Sequence, residues 1–416
     1  MQSLAIPAIL ASLALSVVSA VSATFTVTNS SDASSPTTGS LRWAVQSANA
    51  AAGDDNVNFA NGLSTINLTA GPIAITGGLT VSGSQSPDIY GTIQVQSTGV
   101  TLTDLKLFAV PGAQMLTVTS DGCTVFACTF NGGPSGTSAT LSSSSNTVAG
   151  CTFNGQNEGP GRPGGTDLQL LGNSNMVQSN TFSGASSRAV LIGGATSTAT
   201  GNMVYGNTIS NKLREGVRLA NAPGNFVGGN TINMANSQSG SGISIVGSSS
   251  TINIVFLNTV SNAFCGLFLG DGASYNYIGV FLQGNTFVAN TIGIQVGNLS
   301  GTGSANSNVI LSNDIEGGNG TGIVISNAST GNIVYVNHVN GCTGSGIWIY
   351  DSTYNVVTQN AMGYLYNTSY PAYGNGGYGL LVTGNSSRNT ISGNYYGSNA
   401  AGPVYIDNSA TQNYGP

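Results

Sequence analysis

The chain holds a single histidine and only 14 Asp or Glu among 416 residues, so side chains able to move protons are scarce. His338 follows Asp314 by 24 residues and Glu316 by 22, about one unit of the repeat set out below. Two carboxylates and an imidazole on one face could take a proton from one substrate atom and return it to another. The same three groups could hold a divalent metal, or form an ordinary surface ion pair. A second charged group, Lys212, Arg214, Glu215 and Arg218 with Arg188 one unit earlier, reads as an ion bridge between coils or as a basic patch for a uronate. No motif for an organic cofactor or a dedicated metal site accompanies either group.

These residues must be positioned by a repeat. Asn pairs five apart recur at Asn175/Asn180, Asn202/Asn207, Asn225/Asn230, Asn253/Asn258, Asn308/Asn313, Asn332/Asn337, Asn355/Asn360 and Asn389/Asn394, each within N-x-h-x-x-N-x-h, where h is apolar. Cys123/Cys128 and Asn146/Cys151 fill the same slots, and the second members lie 23 to 34 residues apart from Cys128 to Asn394. A period in the twenties with variable insertions is that of a solenoid. A second phrase accompanies six units, as in Glu215-Gly-Val-Arg-Leu219 and Ser345-Gly-Ile-Trp-Ile349. Its alternation is that of a strand, so each unit holds short strands that must stack into parallel sheets.

On this register the chain resembles right-handed parallel β-helix proteins of the pectin-lyase-like superfold, in particular NosD-like and carbohydrate-associated repeat families. The resemblance covers roughly residues 80 to 410 and implies an all-β solenoid of about eleven or twelve coils, with a short capping helix over residues 40–52. In that helix Leu41, Ala44, Val45 and Ala48 share one face, suited to closing the open end of the first coil. Residues 24–79 are read as cap and first strands, and 80–416 as β-helix. Enzyme signatures of the superfold, the paired Asp groups of polygalacturonases and the Asp-Pro-His type motif of alginate epimerases, are missing from the repeats.

Alternation sends the h residues inward and lines the Asn up coil over coil as a structural ladder. Cys128 and Cys151 fill one slot of adjacent coils, within reach of a disulfide or equally suited to remain buried thiols. Outward of the second ladder stand Thr129, Thr152, Thr181, Thr208, Thr231, Thr259 and Thr286, then Asp314 and His338. Threonine is expected on exposed strands, yet a regular hydroxyl grid could also meet ice or a crystalline surface. On another face Phe268, Val324, Trp348, Leu381 and Tyr405, with Tyr350 beside Trp348, form an apolar outward column able to stack on sugars or to pack against a loop.

Charge makes up 5% of the chain and the net charge is -6, which excludes a basic nucleic-acid surface. Residues 1–23 read as a secretory signal peptide, with an apolar run from Leu4 to Val18 and small-residue cleavage sites after it. No later stretch is long and apolar enough to span a bilayer. Seven Asn-x-Ser/Thr sequons, at Asn29, Asn67, Asn298, Asn319, Asn327, Asn367 and Asn385, are no more than the composition yields. The expectation is a secreted, non-catalytic β-helix protein that presents a face to polysaccharides, glycoproteins or neighbouring proteins, with end-to-end association open at its last coil. The alternatives are a polysaccharide lyase, hydrolase or epimerase centred on Asp314, Glu316 and His338, and a surface-lattice binder using the threonines.

Overall fold

The computed structural model describes residues 21–132, 136–156, 165–234, 240–299, 303–318, 320–363 and 374–415. Most of the expected signal peptide and the sequons at Asn319 and Asn367 lie outside the described residues. Each rung contributes one short strand to each of three all-parallel sheets, which hold 15, 14 and 14 strands. The solenoid is thus longer than the eleven or twelve coils of the ladder reading, because strands from Thr24–Val27 onward already belong to the sheets without any ladder Asn.

Two tight corners explain the five-residue Asn spacing. The first sheet supplies three-residue strands such as Met203–Tyr205. Each is bounded by one residue in the left-handed region: Gly201 at φ 66° before it and Gly206 at 64° after it, with Ser174 and Ser179 at 54° one rung earlier. The backbone turns there, and the residue that follows each turn is the buried ladder Asn. Glycine takes this conformation freely, whereas Ile252 and Leu257 take it at about 1 kcal/mol or more, which the stacked rungs must offset.

The ladder satisfies the corners. Asn207 Oδ1 accepts from the Asn180 backbone N–H at 2.9 Å and from its Nδ2 at 3.0 Å. Its own Nδ2 donates to the Val177 carbonyl and to Asn230 Oδ1. The pattern repeats down both corners to Asn413 and Asn394. Cys123 and Cys151 receive the same support through their backbone N–H, from Asn146 and Asn180, and all five cysteines are free and buried. Between the sheets runs an apolar core in which Phe130, Phe153 and Phe182 stack at 4.5 and 4.7 Å.

The helix spans Leu41–Ala50, with Ser40 capping its N-terminus through a bond from the Trp43 N–H. Leu41, Ala44, Val45 and Ala48 are buried against the first rungs, and Arg42 anchors the cap to Asp32 at 2.7 Å and to the Pro72 carbonyl.

Candidate functional site

The second sheet carries the acid–base group on its outer face. Register pairs Thr286 with Asp314 and Asp314 with His338, while Glu316 pairs with Asn340. His338 Nδ1 lies 3.2 Å from Asp314 Oδ1, with the Asp314 side chain 43% and the His338 side chain 25% exposed. Asn340 Nδ2 sits 2.9 Å from His338 Nε2 and 3.2 Å from Nδ1, the nitrogen that also meets Asp314 Oδ1. The Glu316 carboxyl is pushed above its ordinary range, first by partial burial and then by the neighbouring Asp314 charge. A carboxyl shifted upward beside a second carboxyl that contacts an imidazole is a group of side chains able to exchange protons with a ligand on this face. Among the described residues no group of three or more His, Cys, Asp or Glu is placed to hold a metal ion.

Above this group the seven threonines run rung over rung as expected, exposed from Thr181 to Thr259 and half-buried at Thr129, Thr152 and Thr286. Beside them Asn154 donates to Asn131 Oδ1 and accepts from Ser183, so part of the flanking row is tied to itself. The column continues upstream to Lys106 and Asp88, which the sequence reading missed. Those rungs have no ladder Asn; the available signal was the 23-residue step from Lys106-Leu-Phe108 to Thr129-Phe-Asn131. Lys106, Asp104, Ser84, Gln85 and Thr129 line a cleft of about 590 Å³.

The other candidates fare differently. Val324 is fully buried, and Phe268 and Trp348 pack with Leu299 into a small cluster outside the solenoid core, so the apolar column of the third sheet is partly covered instead of open. The indole N–H of Trp348 is spent on Thr383 Oγ1 at 2.8 Å, and its ring lies 5.3 Å from that of Tyr350. Tyr405 remains exposed, stacked on Tyr378.

Arg188 meets Glu215 across coils at 2.7 Å, and Arg218 meets the other oxygen at 2.7 Å, which gives the bridge the register anticipated. Lys212 does not belong to that surface group. It is buried in the solenoid, bonded to Asp167 at 2.7 Å, to Ser186 Oγ and to the Ser183 carbonyl. Nothing in its local sequence marks an inward lysine, since its partner lies 45 residues away.

The fold and this face define a right-handed parallel β-solenoid whose outer sheets are free to carry chemistry. The chain belongs to the family described as right handed beta helix region, whose model matches residues 111–287 and 258–414. Among solved structures it is similar to the catalytic unit of a thermostable GH87 α-1,3-glucanase from Streptomyces thermodiastaticus strain HF3-3, at 14% identity and a TM-score of 0.57, covering 92% of this chain and 70% of that one. A mannuronic acid specific polysaccharide family 6 lyase from human gut microbiota matches at 14% identity and 0.51, covering 87% of each chain. A periplasmic alginate epimerase matches at 13% identity and 0.44, covering 87% of this chain and 75% of that one. At such identities the likeness is one of fold. No curated protein matches the sequence.

Proposed function

We propose that this chain is a polysaccharide-processing enzyme, a glycoside hydrolase acting outside the cell, with Asp314, Glu316 and His338 as its acid–base group. The carrying observation is the outward meeting of the raised Glu316 carboxyl with an Asp314 held 3.2 Å from His338. In this reading Glu316 gives its proton to the glycosidic oxygen as its bond to the anomeric carbon breaks, and Asp314, beside it on the same face and held by His338, takes the proton of the water that attacks that carbon. The solved structures that share the fold include polysaccharide-active enzymes of several reaction types, which supports the substrate class and leaves the reaction to the site.

Hydrolysis of a neutral glycan is favoured over uronan chemistry by the distribution of charge. Lys106 is the cation of the second-sheet column, eight rungs from Asp314, or about 38 Å at the usual strand spacing. Among the described residues no Lys or Arg shares the rungs of the trio, so a uronate there would meet two carboxylates with only the His338 imidazole beside them. The notion of a secreted product rests on the apolar leader in residues 1–23.

The experiment is a panel of neutral glucans and mannans beside alginate and pectate, followed by reducing ends and by the absorbance of unsaturated products. Reducing ends without unsaturation, reduced about 100-fold or more by Asp314→Asn and Glu316→Gln, is the expected result. Unsaturated product would replace hydrolysis by elimination. Binding without turnover on every polymer would return the chain to a non-catalytic glycan binder, with Tyr405 and Trp348 the side chains to vary next.

A further inference from the structure

The leading outward column of the first sheet is apolar over eight consecutive rungs, from the strand Met176–Gln178 to Val356–Thr358, while the second column opens on Gln178 and closes on Thr358. The leading column steps from Met176 through Phe226 and Tyr277 to Ile333, each 36–43% exposed, with half-buried Met203, Ile254 and Val309 between them and Val356 after them. The second column adds Tyr205, Phe256, Leu311 and Tyr335. Neither column contains an acid or a base across these rungs. The face is also flat at Gly228, where an added Cβ would sit 2.7 Å from the Phe256 ring that covers it.

We infer that this face is a self-association surface, and that its occupant is a second copy of this chain packed antiparallel about a two-fold axis along the strands. Eight rungs at about 4.8 Å span about 34 Å. Flanking corners bearing Ile252 and Tyr275 on one side and Leu257 on the other widen the strip to about 20 Å. The resulting area, roughly 700 Å², is close to the roughly 800 Å² per partner that a stable interface needs. Residue types agree: methionine, aromatic and aliphatic side chains without charge are those of an interface centre. A glycan would find few hydrogen-bonding groups there beyond the tyrosine hydroxyls.

Size order along the column is self-complementary. With the axis between the Ile254 and Tyr277 rungs, Ile254 faces Tyr277 of the second copy, Phe226 faces Val309, and Met203 faces Ile333. At the two steps nearest the axis an aromatic side chain meets a smaller aliphatic one. The turn with exposed Phe281 and Leu282 at its tip leaves the Tyr277 rung, and symmetry carries it toward Leu257 of the second copy.

Sedimentation equilibrium of the purified protein tests this. Wild type should show twice the mass of its own single chain. Ile254→Lys and Tyr277→Asp should each weaken self-association by about 100-fold or more, with circular dichroism unchanged, and mixing the two variants should recover the dimer through the new cross-pair. Gln94→Lys on the third sheet should leave the mass at that of wild type. A wild-type monomer at micromolar concentration, a dimer that survives both substitutions, or a mixture that stays monomeric would each overturn the proposal. Retention of wild-type monomer on an insoluble polysaccharide, lost in the same variants, would overturn it in favour of a glycan occupant.

Discussion

The outer faces of the first and second sheets are built on the same rungs, from the same corners, and carry opposite chemistries. Over Met176 to Val356 the first presents methionine, aromatic and aliphatic side chains. Within the same rungs the second presents threonines that end in Asp314 and His338. Shape is therefore decided inside. Ladder Asn side chains and stacked apolar residues satisfy the corners and the core, which leaves the outward residues free to serve a partner on one side and a substrate on the other.

That comparison breaks if an outward substitution costs as much stability as an inward one. The largest expected loss follows Lys212→Met, which strands the Asp167 carboxylate in the interior; about 3–5 kcal/mol is predicted, read by denaturant unfolding. Adding Asp167→Asn should recover much of it. Burial pushes the Asp167 carboxyl up to about 6, against the pull of Lys212. A carboxyl whose folded pKa is raised favours folding below its unfolded value and loses that contribution as pH rises toward 6. Wild-type stability relative to the double variant should therefore decline from about pH 4 to about pH 6, and a rise over that window would contradict the assignment.

Next comes Asn230→Ala. It leaves the Asn207 N–H without its side-chain acceptor, removes one of the two acceptors of Asn207 Nδ2 and takes the Asn230 donor from the Val204 carbonyl, so about 3 kcal/mol should be lost. Thr208→Val on the exposed lane should stay within about 0.5 kcal/mol of wild type by the same measurement. Equal losses for Asn230 and Thr208 would show that the ladder does not set the shape.

Sequence spacing made much of this legible. Asn pairs at five residues exposed the corners, and the 24-residue step from Asp314 to His338 placed them on adjacent rungs because both follow a ladder Asn. What escaped has physical causes. Lys106 lies upstream of the ladder, where register has no Asn to anchor it. Lys212 turns inward for a partner two rungs away in the folded solenoid, a choice that alternation cannot encode. Met203, Phe226, Ile254 and Tyr277 occupy the unconstrained position between Asn and the inward residue, so their run is visible only once rungs are stacked. Val324 reads as outward from alternation, and only the loop that brings Leu299 against its neighbours buries it.

The claim that the two faces work separately is tested most directly by turnover per protomer on the glycan panel, measured in parallel for wild type, Glu316→Gln and Tyr277→Asp. The account predicts that Glu316→Gln loses about 100-fold or more while its mass stays that of wild type, and that Tyr277→Asp becomes monomeric with turnover within about twofold. Turnover indifferent to Glu316→Gln, or abolished along with the dimer by Tyr277→Asp, would contradict it.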